Sequence, residues 1–389
     1  MTDSTTPDTT TTTMTTTNIE VSAVPDLIET EQRISLRSID RTAVFAVVGA
    51  AFGAMAFVWL LFTQFTAAGA NIGMFVVWYL VFISMIWVIG REQYDPVRAR
   101  DLVARVIFWS AGLIIVVPMI AIATYTVAKG VTALTPNFFF QDQSRVGPLS
   151  PARVGGASQA IVGTLEQVAI AAIISVPLGI LVAIYLNEVG GRLARVVRTI
   201  VDAMSAIPSI VAGLFIFASF ILAFGGQLSG LAAGLALAVL MLPTVTRTTE
   251  VVLRLVPGGL REAGLALGAT EWSTTRHVVL PTARSGIVTA VILGVARVIG
   301  ETAPLLLTTL GAVSMNWSPF EGKQSALPLY VYRLFQLPQE VAIQRAWTGA
   351  LVLLILVFVL FVTARIIGGR GPGHISRYRR ARLAREGLA

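Results

Sequence analysis

Two oppositely charged residues stand in the middle of an apolar run: Arg297 and Glu301, four positions apart in ARVIGE. Four residues make about one helical turn, so on a continuous helix both side chains project from one face. A charge at the centre of a membrane helix costs about 2.5–3.5 kcal/mol on insertion scales, so the pair is expected to face the bundle interior, a water-filled path or each other. The guanidinium fork of Arg297 suits a small anion, which it can bind in bidentate fashion. Glu301 would hold the fork and keep the anion from being trapped, because a site that binds too well does not conduct. The other reading is an ion pair that only fixes the packing of the helix.

A second charged stripe, Arg247, Glu250 and Arg254, follows Pro243 at spacings of three and four. It is open to two readings: the lining of a path's exit, with Arg247 foremost, or ordinary anchors that snorkel at the interface. Asp202 follows Arg198 by four residues, which predicts a pair within one helix. Glu166 has no clear assignment. Enzymatic chemistry finds no support: there is no phosphate-cradling G-x-x-x-x-G-K-S/T loop, no H-E-x-x-H and no G-x-S-x-G elbow. The only histidines are His277 and His374, and cysteine is absent, which removes disulfides and thiolate metal sites. No catalytic residue, metal site or cofactor is expected, and any ATP-derived energy has to come from another chain.

These residues need a membrane scaffold. Of 389 residues, 55% are hydrophobic and only 13% charged, which no polar-surfaced soluble domain matches. Crossing about 30 Å of hydrocarbon takes roughly 20 apolar residues. Such runs fall near 43–65, 72–90, 106–128, 161–186, 200–224, 228–246, 285–312 and 347–367. The expected fold is therefore an all-α integral membrane bundle of about eight spans. With the N-terminus inside, 22 of the 29 lysines and arginines fall on the cytoplasmic side and 6 outside, leaving Arg297 in the membrane. That bias puts both termini in the cytoplasm. The net charge of +8 then reflects orientation in the bilayer, not a nucleic-acid partner.

Residues 1–42 are threonine-rich and read as a disordered cytoplasmic tail without a removable signal peptide. Residues 368–389 read as a basic cytoplasmic tail. Between them come an amino-terminal membrane region (43–128), an extracytoplasmic loop (129–158) broken by Pro136, Pro148, Pro151, Gly155 and Gly156, and a main bundle (159–367). Pro177, Pro208, Pro243 and Pro304 interrupt the apolar runs of that bundle and are expected to bend its helices.

Within the bundle lies a cytoplasmic polar insert, 257–281, PGGLREAGLALGATEWSTTRHVVLP. The repeat Leu260, Ala263, Gly264, Leu267 predicts a short helix with one apolar stripe. Gly268 is placed to end it in the left-handed conformation, Thr270 to cap a second helix, and Pro281 to close the segment. Such a helix either docks on a partner or lies on the bilayer surface.

The spacing Glu262-Ala263-Gly264, three residues, Gly268, nine residues, Val278-Val279-Leu280-Pro281 resembles the "EAA" loop of ABC importer permeases, with glycine at 264 where that pattern usually has alanine. The flanking segments LTPNFFF, GGASQAIVGTLEQVAI, DAMSAIPSIVAGLFIF, MLPTVTRTTEVVLRLVP, ARVIGETAPLLLT and ALPLYVYRLF together resemble the A-subunit permease of Pst-type phosphate ABC importers. The likeness covers about 134–367 and is strongest over 202–308. It implies a type I ABC importer permease core in the cytoplasmic (inner) membrane, with two amino-terminal spans beyond the usual six. It also implies a coupling helix through which Glu262, Ala263, Gly264, Gly268 and Pro281 meet a dimer of cytoplasmic ATP-binding subunits. A second permease subunit and an extracytoplasmic phosphate-binding protein complete the implied assembly, with a phosphate path past Arg297, Glu301 and Arg247. The alternatives are a permease for another oxyanion, molybdate or sulfate, and a channel or carrier that needs no ATPase.

Overall fold

A computed structural model describes residues 41–64, 71–93, 96–147 and 150–368. The expected tails, apart from a residue or two at their inner ends, lie outside these residues, as do Pro148 and His374. The helices are α1 (Arg41–Gln64), α2 (Asn71–Gln93), α3 (Pro96–Gly130), α4 (Pro136–Phe140), α5 (Ser158–Ile184), α6 (Arg192–Ala206) and α7 (Ser209–Ile216). They continue with α8 (Gly230–Arg254), α9 (Gly258–Ala266), α10 (Glu271–Thr274), α11 (Leu280–Val298), α12 (Ala303–Thr308), α13 (Leu327–Phe335) and α14 (Glu340–Gly368). Turns of π-helix follow α5 and α7 and precede α11, at Tyr185–Val189, Phe217–Ala223 and Thr275–Val279. No strand occurs among the described residues.

Six of the described helical segments are long and apolar enough to cross a membrane: Gly73–Glu92, Ala99–Ala133, Ser158–Val189, Gly230–Arg254, Glu271–Val298 and Glu340–Ile366. A seventh crossing is available if Arg192–Ala206 and Ser209–Ala223 act together, although they meet at 106°. The apolar stretch of α1, Val47–Thr63, is shorter.

Two of the apolar runs are thus broken. At 200–224 the break is Pro208: the residue before a proline is driven out of the helical region, and Ile207 is extended at φ −69°, ψ 126°. The run at 285–312 is cut at Val298, with α12 following as a separate short helix. By contrast, Pro177 and Pro243 lie inside unbroken helices, and Pro281 does not close its segment but stands in the first turn of α11. A missing N–H is tolerated there because the preceding π-turn has already shifted the hydrogen-bond ladder.

The chain forms two compact units, divided within α3 at residues 116 and 117. In the first, α1 and α2 pack through Ala50, Ala54, Phe82 and Ile86. Trp78 donates to the Ala51 carbonyl at 3.1 Å and its ring stacks on Phe82. Tyr79 and Ser110 share a hydroxyl hydrogen bond of 2.6 Å, which ties α2 to the first part of α3.

The second unit is built on α8, whose Leu237, Leu240, Met241 and Val245 are fully buried. Small residues let its neighbours approach closely. A Cβ on Gly234 would come 2.6 Å from Ile170 of α5, and one on Gly294 of α11 would come 2.7 Å from Val245. At one end of this bundle the last residues of α5 and α8 meet the first of α11 through Ala183, Ile184, Leu253, Val256, Val279 and Ala283. At the other end Phe138, Leu327, Tyr330 and Ala346 join α4, α13, α14 and the start of α5.

Candidate functional site

The 257–281 insert folds at the first of these ends as the helix, turn and helix its spacing predicts. Gly268 ends α9 with φ +81°, and the Thr270 side chain accepts the Ser273 N–H at 3.2 Å to cap α10. Glu262, Ala263 and Gly268 are exposed, as are the apolar side chains of Leu265, Leu267 and Trp272. Gly264 is half-buried, and a Cβ there would meet the Thr274 side chain at 2.9 Å. The glycine therefore serves contact within the chain, between α9 and α10.

Arg261, next to Glu262, turns inward. Its Nε and Nη2 donate to Glu188 at 3.2 and 2.9 Å, and its Nη1 and Nη2 donate to the carbonyls of Val256 and Leu253, both at 2.9 Å. No local pattern marks this contact, because its carboxylate lies 73 residues away.

The 247–254 stripe centres on Glu250. Its side chain is 3% exposed and accepts from Arg247, Arg254 and Arg198 of α6. Arg247 also pairs with Asp202. The expected pair of Arg198 with Asp202 within α6 is thus replaced by two bridges from α6 to α8. The reason is that the buried Glu250 carboxylate needs charged donors more than the exposed Asp202 does.

Arg297 and Glu301 do not share a continuous helix. α11 ends at Val298, and the Glu301 N–H bonds the Val298 carbonyl at 3.1 Å in a turn. Arg297 is exposed, Glu301 is half-buried, and neither side chain has an ion pair or hydrogen bond among the described residues. The pairing expected from their spacing is absent because the helical turn that would create it is absent.

At the opposite end Glu166 gains a partner. The buried amide of Gln324 donates to the Glu166 carboxylate and accepts from Gln167 at 3.0 Å. Thr309 accepts the Gln324 backbone N–H at 2.9 Å within the 309–326 loop, and the Gln324 amide secures that loop to α5. Asp142 accepts from Ser144 and from the Met315 N–H at 3.0 Å. The Ser144 hydroxyl first, then the backbone N–H groups and Arg145, hold its carboxyl below the usual carboxylate range against the opposing effect of burial.

Residues 175–370 match the family described as binding-protein-dependent transport system inner membrane component. The chain is 43% identical over 261 residues to the phosphate transport system permease protein PstA of Mycobacterium leprae, covering 67% of this chain and 86% of that protein. It is 40% identical over 271 residues to PstA 1 of Mycobacterium tuberculosis (strain CDC 1551 / Oshkosh), covering 69% and 89%. Among solved structures, an inward-facing form of the MetNI methionine ABC transporter aligns with a TM-score of 0.43 at 25% identity, over 55% of this chain and 93% of that one. A polytopic helical bundle, an exposed helix-turn-helix at one end, the family match and the PstA relatives converge: the chain belongs to the binding-protein-dependent transport system inner membrane components, as a permease of the PstA type.

Proposed function

We propose that the chain is the permease subunit through which an ATP-driven importer moves inorganic phosphate across the cytoplasmic membrane. The observation that carries this reading is the 43% identity to a PstA permease across 86% of that protein's length. Hydrolysis of ATP belongs to a separate cytoplasmic dimer that docks on the exposed face of α9 through Glu262, Ala263 and the Gly268 turn, with Pro281 starting the span behind it. The exposed Trp272 supports that docking, since aromatic residues are enriched among the anchors of such interfaces, and the exposed Leu265 and Leu267 add apolar area beside it. A second permease subunit completes the path, and an extracytoplasmic phosphate-binding protein delivers the anion. The arginine and lysine bias supports an orientation with α9 and both termini in the cytoplasm.

Arg297 is the phosphate-contacting group of this reading. Its guanidinium is exposed and bound to no acceptor among the described residues, so its fork is available to an oxyanion. Glu301, just past the helix end, limits how tightly the anion is held. Arg247 lies at the cytoplasmic exit, where Asp202 and Glu250 share its charge.

The test is phosphate uptake in cells lacking other phosphate transporters, with and without this chain and its partner subunits, in the presence of excess molybdate or sulfate. Phosphate uptake that resists both competitors is the expected result. Uptake abolished by either competitor assigns the path to another oxyanion, and uptake by this chain alone assigns it to a channel or carrier.

A further inference from the structure

The four hydrogen bonds of the Arg261 guanidinium join α9 to two other elements: the end of α8 through the Leu253 and Val256 carbonyls, and the π-turn ending α5 through Glu188. The last carbonyls of a helix have no partner within it, and a cation there satisfies them and opposes the negative end of the helix dipole. Glu188 is in turn oriented by the Asn187 side-chain amide at 2.6 Å. Side-chain exposures of 25% for Arg261 and 12% for Glu188 mean that little water competes for the pair. A bidentate fork fixes angle as well as distance. Beyond Glu188 the chain turns through Gly190 and Gly191, both at positive φ, so α5 is held at this end by the fork and by apolar contacts.

We propose that the Arg261 and Glu188 pair is the positioning joint that makes the docking helix carry α5 and α8 with it when the ATP-binding subunits move. This rests on the function proposed above. Adjacent residues divide the work: Glu262 faces outward to the partner, and Arg261 faces inward to the two spans. The close seat of Gly264 on Thr274 links the other side of α9 to α10 and, through the following π-turn, to α11. Without the fork, α9 stays attached on the α10 side and its displacement reaches α5 only through the apolar contacts.

The test uses the assembled importer in vesicles and compares the unchanged chain with Arg261→Gln and Glu188→Gln and with both together, reading phosphate uptake and ATP hydrolysis in the same samples. Each single variant is expected to keep the ATP-binding subunits and their hydrolysis but to lower phosphate moved per ATP about tenfold. The double variant is expected to be no worse than Arg261→Gln alone, because the fork is already absent in that variant. Unchanged coupling, or loss of the ATP-binding subunits from the complex, overturns the joint.

A second measurement does not depend on which anion is carried. The chain has no cysteine, so spin labels at Ala266→Cys and Leu181→Cys report the separation of α9 and α5 with and without ATP. That separation is expected to hold within about 2 Å, the scale of small helix shifts, and to change by more in the Arg261→Gln background. An equal ATP-driven change in both backgrounds overturns the joint, whereas a constant distance in an importer that moves no phosphate leaves the joint standing and overturns the assigned cargo.

Discussion

Gly264 lies against Thr274 so closely that a Cβ on the glycine would stand 2.9 Å from both Cγ2 and Oγ1 of the threonine. Thr274 is buried and β-branched, so it cannot easily rotate away. The cost of glycine in a helix, about 1 kcal/mol relative to alanine, is accepted here for contact. Gly264→Ala is therefore expected to push α9 off its seat and weaken co-purification of the ATP-binding subunits several-fold, although the helix itself gains propensity. Gly264→Ala with Thr274→Ala is expected to restore it. Equal co-purification in all three chains would show that the contact does not set the helix's position.

Arg297→Gln removes the fork assigned to the anion and is expected to lower phosphate uptake at least tenfold at unchanged membrane abundance. Glu301→Gln is expected to lower uptake as well, by slowing release and so reducing the apparent half-saturating concentration of phosphate. Uptake equal to that of the unchanged chain in both variants would reduce the two residues to a structural role.

Glu250 is buried beneath three arginines whose own side chains are 33–57% exposed. This asymmetry decides which member matters. Removing an exposed arginine costs about 0–1 kcal/mol, in the range of surface pairs, so Arg254→Gln is expected to leave thermal unfolding in detergent nearly unchanged. Glu250→Ala also removes one of the two bridges from α6 to α8 and leaves the cations without their shared acceptor, and about 1.5–3 kcal/mol is expected, as for hydrogen bonds to charged groups. Similar melting temperatures for the two variants would contradict the ranking.

Asp142 joins the 141–157 loop to the 309–326 loop with a carboxyl held below its ordinary value. A depressed carboxylate contributes stability that is present above its unfolded-state value and is lost as pH falls through its folded-state value. Asp142→Asn is accordingly expected to melt earlier than the unchanged chain at neutral pH. The difference should shrink as pH drops below about 4, the ordinary aspartate value. A difference that does not depend on pH would assign the effect to shape alone.

Much of this protein was legible because its signals are local. An apolar run long enough to span a bilayer announces itself wherever it falls, and Gly268 and Thr270 mark the turn of the 257–281 insert because positive φ and side-chain capping are settled within four residues. Pairing was not local. Asp202 and Arg198 have the right spacing for each other, yet Glu250, 52 residues from Arg198, takes the arginine because burial makes its need for a donor larger. Arg297 and Glu301 also have the right spacing, but pairing needs a helix that continues past Val298, and the turn at Ile299 and Gly300 ends it.

The sequence by itself determined a helical membrane bundle with a helix-turn-helix insert, since hydrophobic length and turn chemistry depend on neighbours along the chain, and the permease reading came from its resemblance to a family. Only the tertiary structure decided that Arg261 reaches Glu188, that Gln324 reaches Glu166 across 158 residues, and that Gly264 gives way to Thr274. Each of these depends on which helix ends the packing of α5, α8 and α11 brings together, and linear spacing carries no record of that.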